Sequence, residues 1–152
     1  MIDVALKEWR IICDLLLDGR LAFLLRKGGI HERSGPGAFE LDHKRFALFP
    51  ATEHQKPEML KPPHREAASP QAAPDTVVFR GYGQAAGIWQ VPSRAAFDRL
   101  DELHPWSAAQ VDMRFDYRPE NPLYLVAVRA HRLPEPKAIA YRGAFAGCHS
   151  WV

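Results

Sequence analysis

Apolar side chains recur at Ala5, Trp9, Ile12, Cys13 and Leu16, three and four residues apart, a spacing that predicts one helix over residues 3–18. Gly19 supplies its stop. Leu21 to Leu25 is too short an apolar run for a helix and predicts a strand that ends in the polar segment Arg26-Lys27-Gly28-Gly29. Ser34-Gly35-Pro36-Gly37 is turn chemistry. Phe39 and Leu41, then Phe46, Leu48 and Pro50, alternate with other residues and predict two strand pieces that switch face near His43. Pro57, Pro62, Pro63, Pro70 and Pro74 interrupt residues 56–76. Proline lacks an N–H and fixes φ, so this stretch is excluded from a sheet or a long helix and is expected as an extended or mobile loop.

Thr76 to Arg80 predicts a strand, and Gly87 to Val91 its hairpin partner, closed by Pro92. Ser93 is placed to cap a helix whose apolar stripe is Ala96, Phe97, Leu100 and Leu103. Two patterns compete after Trp106. Val111, Met113, Phe115 and Tyr117 alternate as a half-buried strand does, while Ser107 and Gln110 have the spacing of a helix start. Leu123 to Val128 is the most β-prone stretch and predicts a central strand, with Ala138 to Tyr141 as another. Strands and helices do not alternate strictly and no internal repeat occurs, so the expected class is α+β, with a curved, mostly antiparallel sheet and two or three helices.

Length and composition narrow the function classes. A chain of 152 residues, 47% apolar and 25% charged, suits a single globular domain over 1–152 rather than a disordered or fibrous chain. The net charge of +2 announces no polyanion partner by itself. No secretory signal opens the chain and no apolar run approaches the ~20 residues of a spanning helix, so a cytoplasmic protein without a membrane partner is expected. Cys13 and Cys148 form no CxxC pair, which leaves neither a disulfide framework nor a four-thiolate zinc site.

Few motifs survive a weighing of context. Gly81-Tyr82-Gly83-Gln84-Ala85-Ala86 has the form of a dinucleotide fingerprint, but no helix can open at those glycines before Pro92, so a glycine-rich hairpin turn is the better reading. Asp42-His43-Lys44, with Glu40 two residues earlier, is the half-motif of a metal-dependent nuclease; charged residues at alternate strand positions more often mark a solvated face. No histidine pair has the sequence spacing of a metal site. His43 and His54 could meet across neighbouring strands to bind a metal or exchange a proton, but a hydrogen-bonded structural histidine is the commoner outcome, and neither metal nor cofactor is expected. Cys148-His149 pairs a thiol with an imidazole, but extended neighbours point to opposite faces.

Charge is uneven along the chain. Residues 20–66 hold nine Lys or Arg against six acids, and residues from 121 onward four against one. If these segments adjoin in the sheet they form a cationic face. Arg26, Lys27 and the backbone N–H groups of Gly28 and Gly29 then suit phosphate, while His43, His54 and Gln55 suit a base or sugar. Trp106, between Pro105 and Ser107, reads as the freest of four tryptophans and a stacking surface.

Ala5-Leu6-Lys7-Glu8-Trp9 and Leu24-Leu25-Arg26-Lys27-Gly28-Gly29-Ile30 resemble the start of the bacterial domain-of-unknown-function family 1802. Phe39, His43, Phe46, Leu48-Phe49-Pro50 and Glu53-His54-Gln55 resemble its middle, and Pro122-Leu123-Tyr124, Arg129, Leu133, Cys148 and Ser150-Trp151-Val152 its end. The resemblance favours a helix after Ser107. It also implies a restriction or defence setting with a restriction-endonuclease-like partner. Lys44 departs from the family pattern, which weakens the nuclease reading, and Ala51-Thr52 stands where the pattern has an aromatic. The layout also resembles a PUA- or EVE-type small barrel, a class that reads modified or unpaired bases in a pocket. The expectation is a module binding DNA or RNA; the alternatives are a metal-dependent nuclease using Asp42 and Glu40, and a non-catalytic protein-interaction subunit.

Overall fold

The computed structural model describes residues 1–27, 43–147 and 150–152. Five strands, β1 (Ala5–Trp9), β2 (Phe23–Lys27), β3 (Arg45–Ala51), β4 (Thr76–Gln90) and β5 (Leu123–Ala140), form one curled sheet in the order β1-β3-β4-β5-β2. Only β1 and β3 run parallel. Three α-helices, α1 (Arg10–Leu17), α2 (Arg94–Asp98) and α3 (Ala108–Asp116), pack with it, as the expected α+β class requires. Among the described residues no helix is long and apolar enough to cross a membrane.

The single helix expected over 3–18 is corrected in its first half. Residues 5–9 form β1, paired with β3 on one side and tied by the Ala5 N–H to the Val152 carbonyl at 2.7 Å on the other. Apolar spacing at Ala5 and Trp9 is compatible with helix or strand, and backbone partners in β3 on one side and residues 150–152 on the other decide for the strand. The helix begins only at Arg10. Trp9 at its N-cap offers no capping oxygen, and the Gln55 side-chain oxygen accepts from the Ile11 N–H at 3.3 Å instead. Gly19, at φ +71°, ends it as expected: the Arg20 N–H reaches the Leu15 carbonyl and the Gly19 N–H the Leu16 carbonyl.

The hairpin expected between Thr76 and Val91 is also corrected. Residues 76–90 are one continuous strand, irregular after Phe79 and after Ala85, and the glycine-rich stretch lies inside it. These glycines answer to close approach. A Cβ on Gly81 would overlap the Leu17 side chain and the His131 carbonyl, and one on Gly83 would stand 2.6 Å from the Phe46 ring. Gly81→Ala is therefore expected to cost about 1–3 kcal/mol of stability. A lowered urea midpoint at unchanged slope is the readout, and a wild-type midpoint would refute the close-packing account.

Ala138 to Tyr141, expected as a separate strand, instead continues β5 as far as Ala140, where residues 138–140 pair with Thr76–Val78. Pro134 and Pro136 fall where residues 133–136 of β5 face Arg80 alone, a bulge in which missing N–H groups cost little. Residues 56–75 avoid the sheet as the prolines demand, Thr76 already belonging to β4, and the extended or mobile loop expected there is a packed cover. Three 3-10 turns carry Leu60 and Ala68 into the core, and the Ser107 N–H donates to the Met59 carbonyl at 3.0 Å. Ser93 caps α2 through Ala96 N–H, and Ser107 caps α3 through Gln110 N–H, so the ambiguity after Trp106 resolves to a helix.

Candidate functional site

The curled sheet leaves its two edge strands, β1 and β2, facing one another, and Arg26 bridges them. From β2 its guanidinium forms an ion pair with Glu8 of β1, both side chains nearly enclosed, and Nη2 lies 3.5 Å from the Lys7 carbonyl. Among the described residues Arg26 Nε has no partner. Next to it, Lys27 projects to the other side of β2 and donates to the Phe115 carbonyl at 3.0 Å, in the last turn of α3, where a cation meets the negative end of the helix dipole. Burial pushes the Lys27 ammonium pKa below its ordinary value, with Glu120 and Asp116 opposing.

A cavity of about 400 Å³ lies where α1, α3 and the 56–59 turn come together at the β1 edge. Its aromatic walls are Trp9, Trp106 and Tyr117. Ile12, Met59 and Met113 add apolar surface, and Gln110 an amide. Glu8 forms a charged part of the lining, with Arg114 from α3, and His54 and Lys56 are exposed members of it. Burial lowers the Arg114 pKa; Glu8 counters that shift and Arg26 reinforces it, so the carboxylate sits in the field of both guanidiniums. His54 follows β3 at φ +62°, a left-handed conformation that histidine tolerates better than most residues.

This arrangement combines flat apolar walls with an acceptor-only carboxylate, a donor-only guanidinium and two cationizable side chains. The walls, the carboxylate and the guanidinium suit a planar heterocycle carrying both hydrogen-bond donors and acceptors, and the two cationizable side chains suit an anionic group attached to it. The volume falls within the range of small-molecule sites.

The residues singled out from sequence separate. Arg26, Lys27 and Gln55 are buried and engaged inside the fold: the first at the seam, the second on α3, the third as the α1 cap and a donor to the Ser69 carbonyl at 3.3 Å. His43 stands outside the cavity, its ring 5.3 Å from Trp151 in an edge-on contact. His54 and Trp106 both line the cavity. Trp106 is corrected from the freest tryptophan to a buried one, 5.9 Å from the Phe23 ring and 5.3 Å from His104; Trp89 is the exposed one. Gly28, Gly29, Glu40, Asp42, Cys148 and His149 lie outside the described residues. Among the described residues no three His, Cys, Asp or Glu side chains are grouped to hold a metal ion.

Trp9, Glu8, Lys56, Arg114 and Tyr117 were not selected as a site from sequence. The available signal is on α3: Gln110, Met113, Arg114 and Tyr117 follow the i, i+3, i+4, i+7 spacing of one helix face. The competing two-residue alternation of Val111, Met113, Phe115 and Tyr117 masks it.

A second cavity, about 200 Å³, lies between α1 and the start of β4. There Asp14 is 3.7 Å from Arg10 and 3.8 Å from Arg80. Burial raises the Asp14 pKa while both arginines lower it. Its one carboxylate lies between its two arginines, and its remaining lining is largely aliphatic and proline.

The sequence matches the profile of a domain of unknown function (DUF1802) over residues 5–152. No curated protein matches it. Among solved structures, the fold is similar to the ASCH protein from Zymomonas mobilis, with a TM-score of 0.50 at 12% identity over 93% of this chain and 88% of that one. Two mutant forms of that protein give TM-scores of 0.53 at 14% identity, covering 98% and 87% of the two chains, and 0.51 at 11%, covering 92% and 88%. ASCH domains are PUA-like small barrels, and at these identities the likeness is one of fold, in agreement with the small-barrel expectation.

Proposed function

This chain belongs to the DUF1802 family, and from its ASCH-like barrel and its aromatic, charged cavity we propose that it is a nucleic-acid-binding module taking one unpaired base between Trp9, Trp106 and Tyr117. The observation that carries the reading is the conjunction, in one cavity, of three aromatic walls with Glu8 and Arg114. A base presents π-faces to the first and hydrogen-bonding edges to the second. Glu8 accepts from an exocyclic amine or ring N–H; Arg114 donates to a ring carbonyl or nitrogen. Lys56 and His54 face the adjoining phosphate. A duplex keeps its bases stacked, so single strands are the preferred form. The restriction or defence setting, a restriction-endonuclease-like partner and a cytoplasmic location rest on the family resemblance and the sequence alone.

Fluorescence polarisation with labelled single-stranded and duplex oligonucleotides at low salt tests this. Single strands bind more tightly than duplex, and Tyr117→Ala weakens them about five- to a hundredfold, the span of one lost stacking contact. Lys56→Ala lowers the salt slope by about 0.7. Absence of single-strand binding at low salt, or a Tyr117→Ala protein that binds like wild type, overturns the proposal.

A further inference from the structure

The outward face of the sheet centre carries a second constellation. Strand register aligns Arg45 of β3, Gln84 of β4 and Arg129 of β5, and next to them Ala47, Tyr82 and His131. Side chains two apart on a strand share a face, and directly paired residues do too. The neighbouring positions Phe46, Gly83 and Ala130 therefore point the other way, where Phe46 is fully buried. Arg45, Gln84, Arg129 and His131 are exposed. The Tyr82 and His131 rings stack at 4.9 Å, and the Arg45 guanidinium lies 5.2 Å from the Tyr82 ring centre.

The same face continues along β4 and β5. Gly87 pairs with Ala127, two residues from Arg129, and the Trp89 ring lies where a Cβ on Gly87 would be. Trp89 is 57% exposed, unusual for a residue of its size in a strand paired along its length. Aromatic surface thus stands at both ends of an arginine pair, and Tyr82 and Gly87 are separated by roughly 16 Å of strand. None of the outward positions 45, 47, 82, 84, 87, 89, 127, 129 and 131 carries an acid. Arg80-Gly81-Tyr82-Gly83 also fits the opening of the ribonucleoprotein sheet motif, basic-Gly-aromatic-Gly, whose outward aromatics stack bases. Here Gln84 replaces the second aromatic, and Arg80 turns to Asp14.

The geometry points to a single-stranded nucleic-acid platform on this outer face, with bases stacking on Tyr82–His131 and on Trp89 and phosphates held by Arg45 and Arg129. The platform rests on the nucleic-acid reading above and extends it from one base to a segment of strand. Flat aromatic rings alternating with guanidiniums that form no ion pair among the described residues fit a strand of alternating bases and phosphates better than a carboxylate-rich peptide, which has no use for the rings.

The test uses the full chain and a labelled single-stranded 15-mer, with Trp89→Ala, an Arg45→Ala/Arg129→Ala double variant and the cavity variant Tyr117→Ala measured side by side. All the substituted platform side chains are exposed, and unchanged thermal unfolding verifies folding. Trp89→Ala is expected to weaken 15-mer binding about five- to a hundredfold. The double variant flattens the salt slope by about 1.4, two phosphate contacts on a single strand. If only Tyr117→Ala loses binding, the platform is overturned and the cavity stands. If only the platform variants lose it, the cavity reading falls and the platform stands. A wild-type protein that binds no 15-mer at low salt, or binds an oligoglutamate of equal charge as tightly, overturns the platform.

Discussion

Arg26→Met lowers the unfolding free energy by about 3–5 kcal/mol, because it takes the ion-pair partner from a carboxylate, Glu8, that is nearly enclosed. For a domain whose whole stability is about 5–15 kcal/mol, that is enough to leave a large unfolded population at moderate temperature. The loss falls at the seam between β1 and β2, the two edge strands of the sheet among the described residues. Pairing the change with Glu8→Leu removes the stranded charge, and the double variant regains most of the loss, since a buried pair contributes little beyond an apolar pair of similar volume. Urea unfolding of the four proteins in the cycle measures this coupling. A single variant within about 0.5 kcal/mol of wild type would mean that Glu8 is hydrated and the seam open.

Stability increases by about 3 kcal/mol between pH 4 and pH 6.5 through His104 alone. The ring is buried in a stack 4.9 Å from Phe97, and burial lowers its pKa from 6.5 to about 4; Lys61 and Arg94 push the same way and Asp101, 3.7 Å away, opposes them. Its Nδ1 accepts from the Trp106 N–H at 3.2 Å, so a proton there would also break that bond. With the folded pKa below the unfolded one, the unfolded chain binds the extra proton in this window. The stabilisation is complete above pH 6.5 and lost as pH falls towards 4, each pKa unit being worth about 1.36 kcal/mol. His104→Gln removes that slope. The comparison is between the pH dependences of wild type and variant, since Asp14, whose pKa is raised, titrates with the opposite sign in both. Parallel curves would refute a neutral, enclosed His104. Trp106 lines the cavity, so the single-strand binding proposed above is expected to weaken over the same range.

Arg26, Lys27 and Gln55 show why a cation or amide in a promising string is a weak guide to a binding site. Side by side in sequence, Arg26 and Lys27 look like a phosphate grip, yet the strand sends them to opposite faces, one to Glu8 and the other to Phe115. Neither partner is near in sequence. The platform residues show the converse. The two basic stretches, 20–66 and 121 onward, come to one sheet face at Arg45 and Arg129, with Gln84 of the intervening strand aligned between them. Register of that kind depends on bulges after Phe79 and Ala85 that the glycines alone do not announce.

What the chain determined by itself is what a few neighbouring residues settle among themselves: the stop at Gly19, the caps at Ser93 and Ser107, the apolar strands around Leu24 and Val126, and the exclusion of residues 56–75 from the sheet. Backbone geometry and side-chain volume act there over one or two turns of chain. Tertiary structure alone decided that residues 5–9 extend rather than coil, that β4 runs through its glycines, that Arg26 closes a seam, and that Trp9 and Tyr117 share a cavity. Each of those outcomes depends on hydrogen-bond or packing partners tens of residues away, supplied only when the sheet curls and its edges meet.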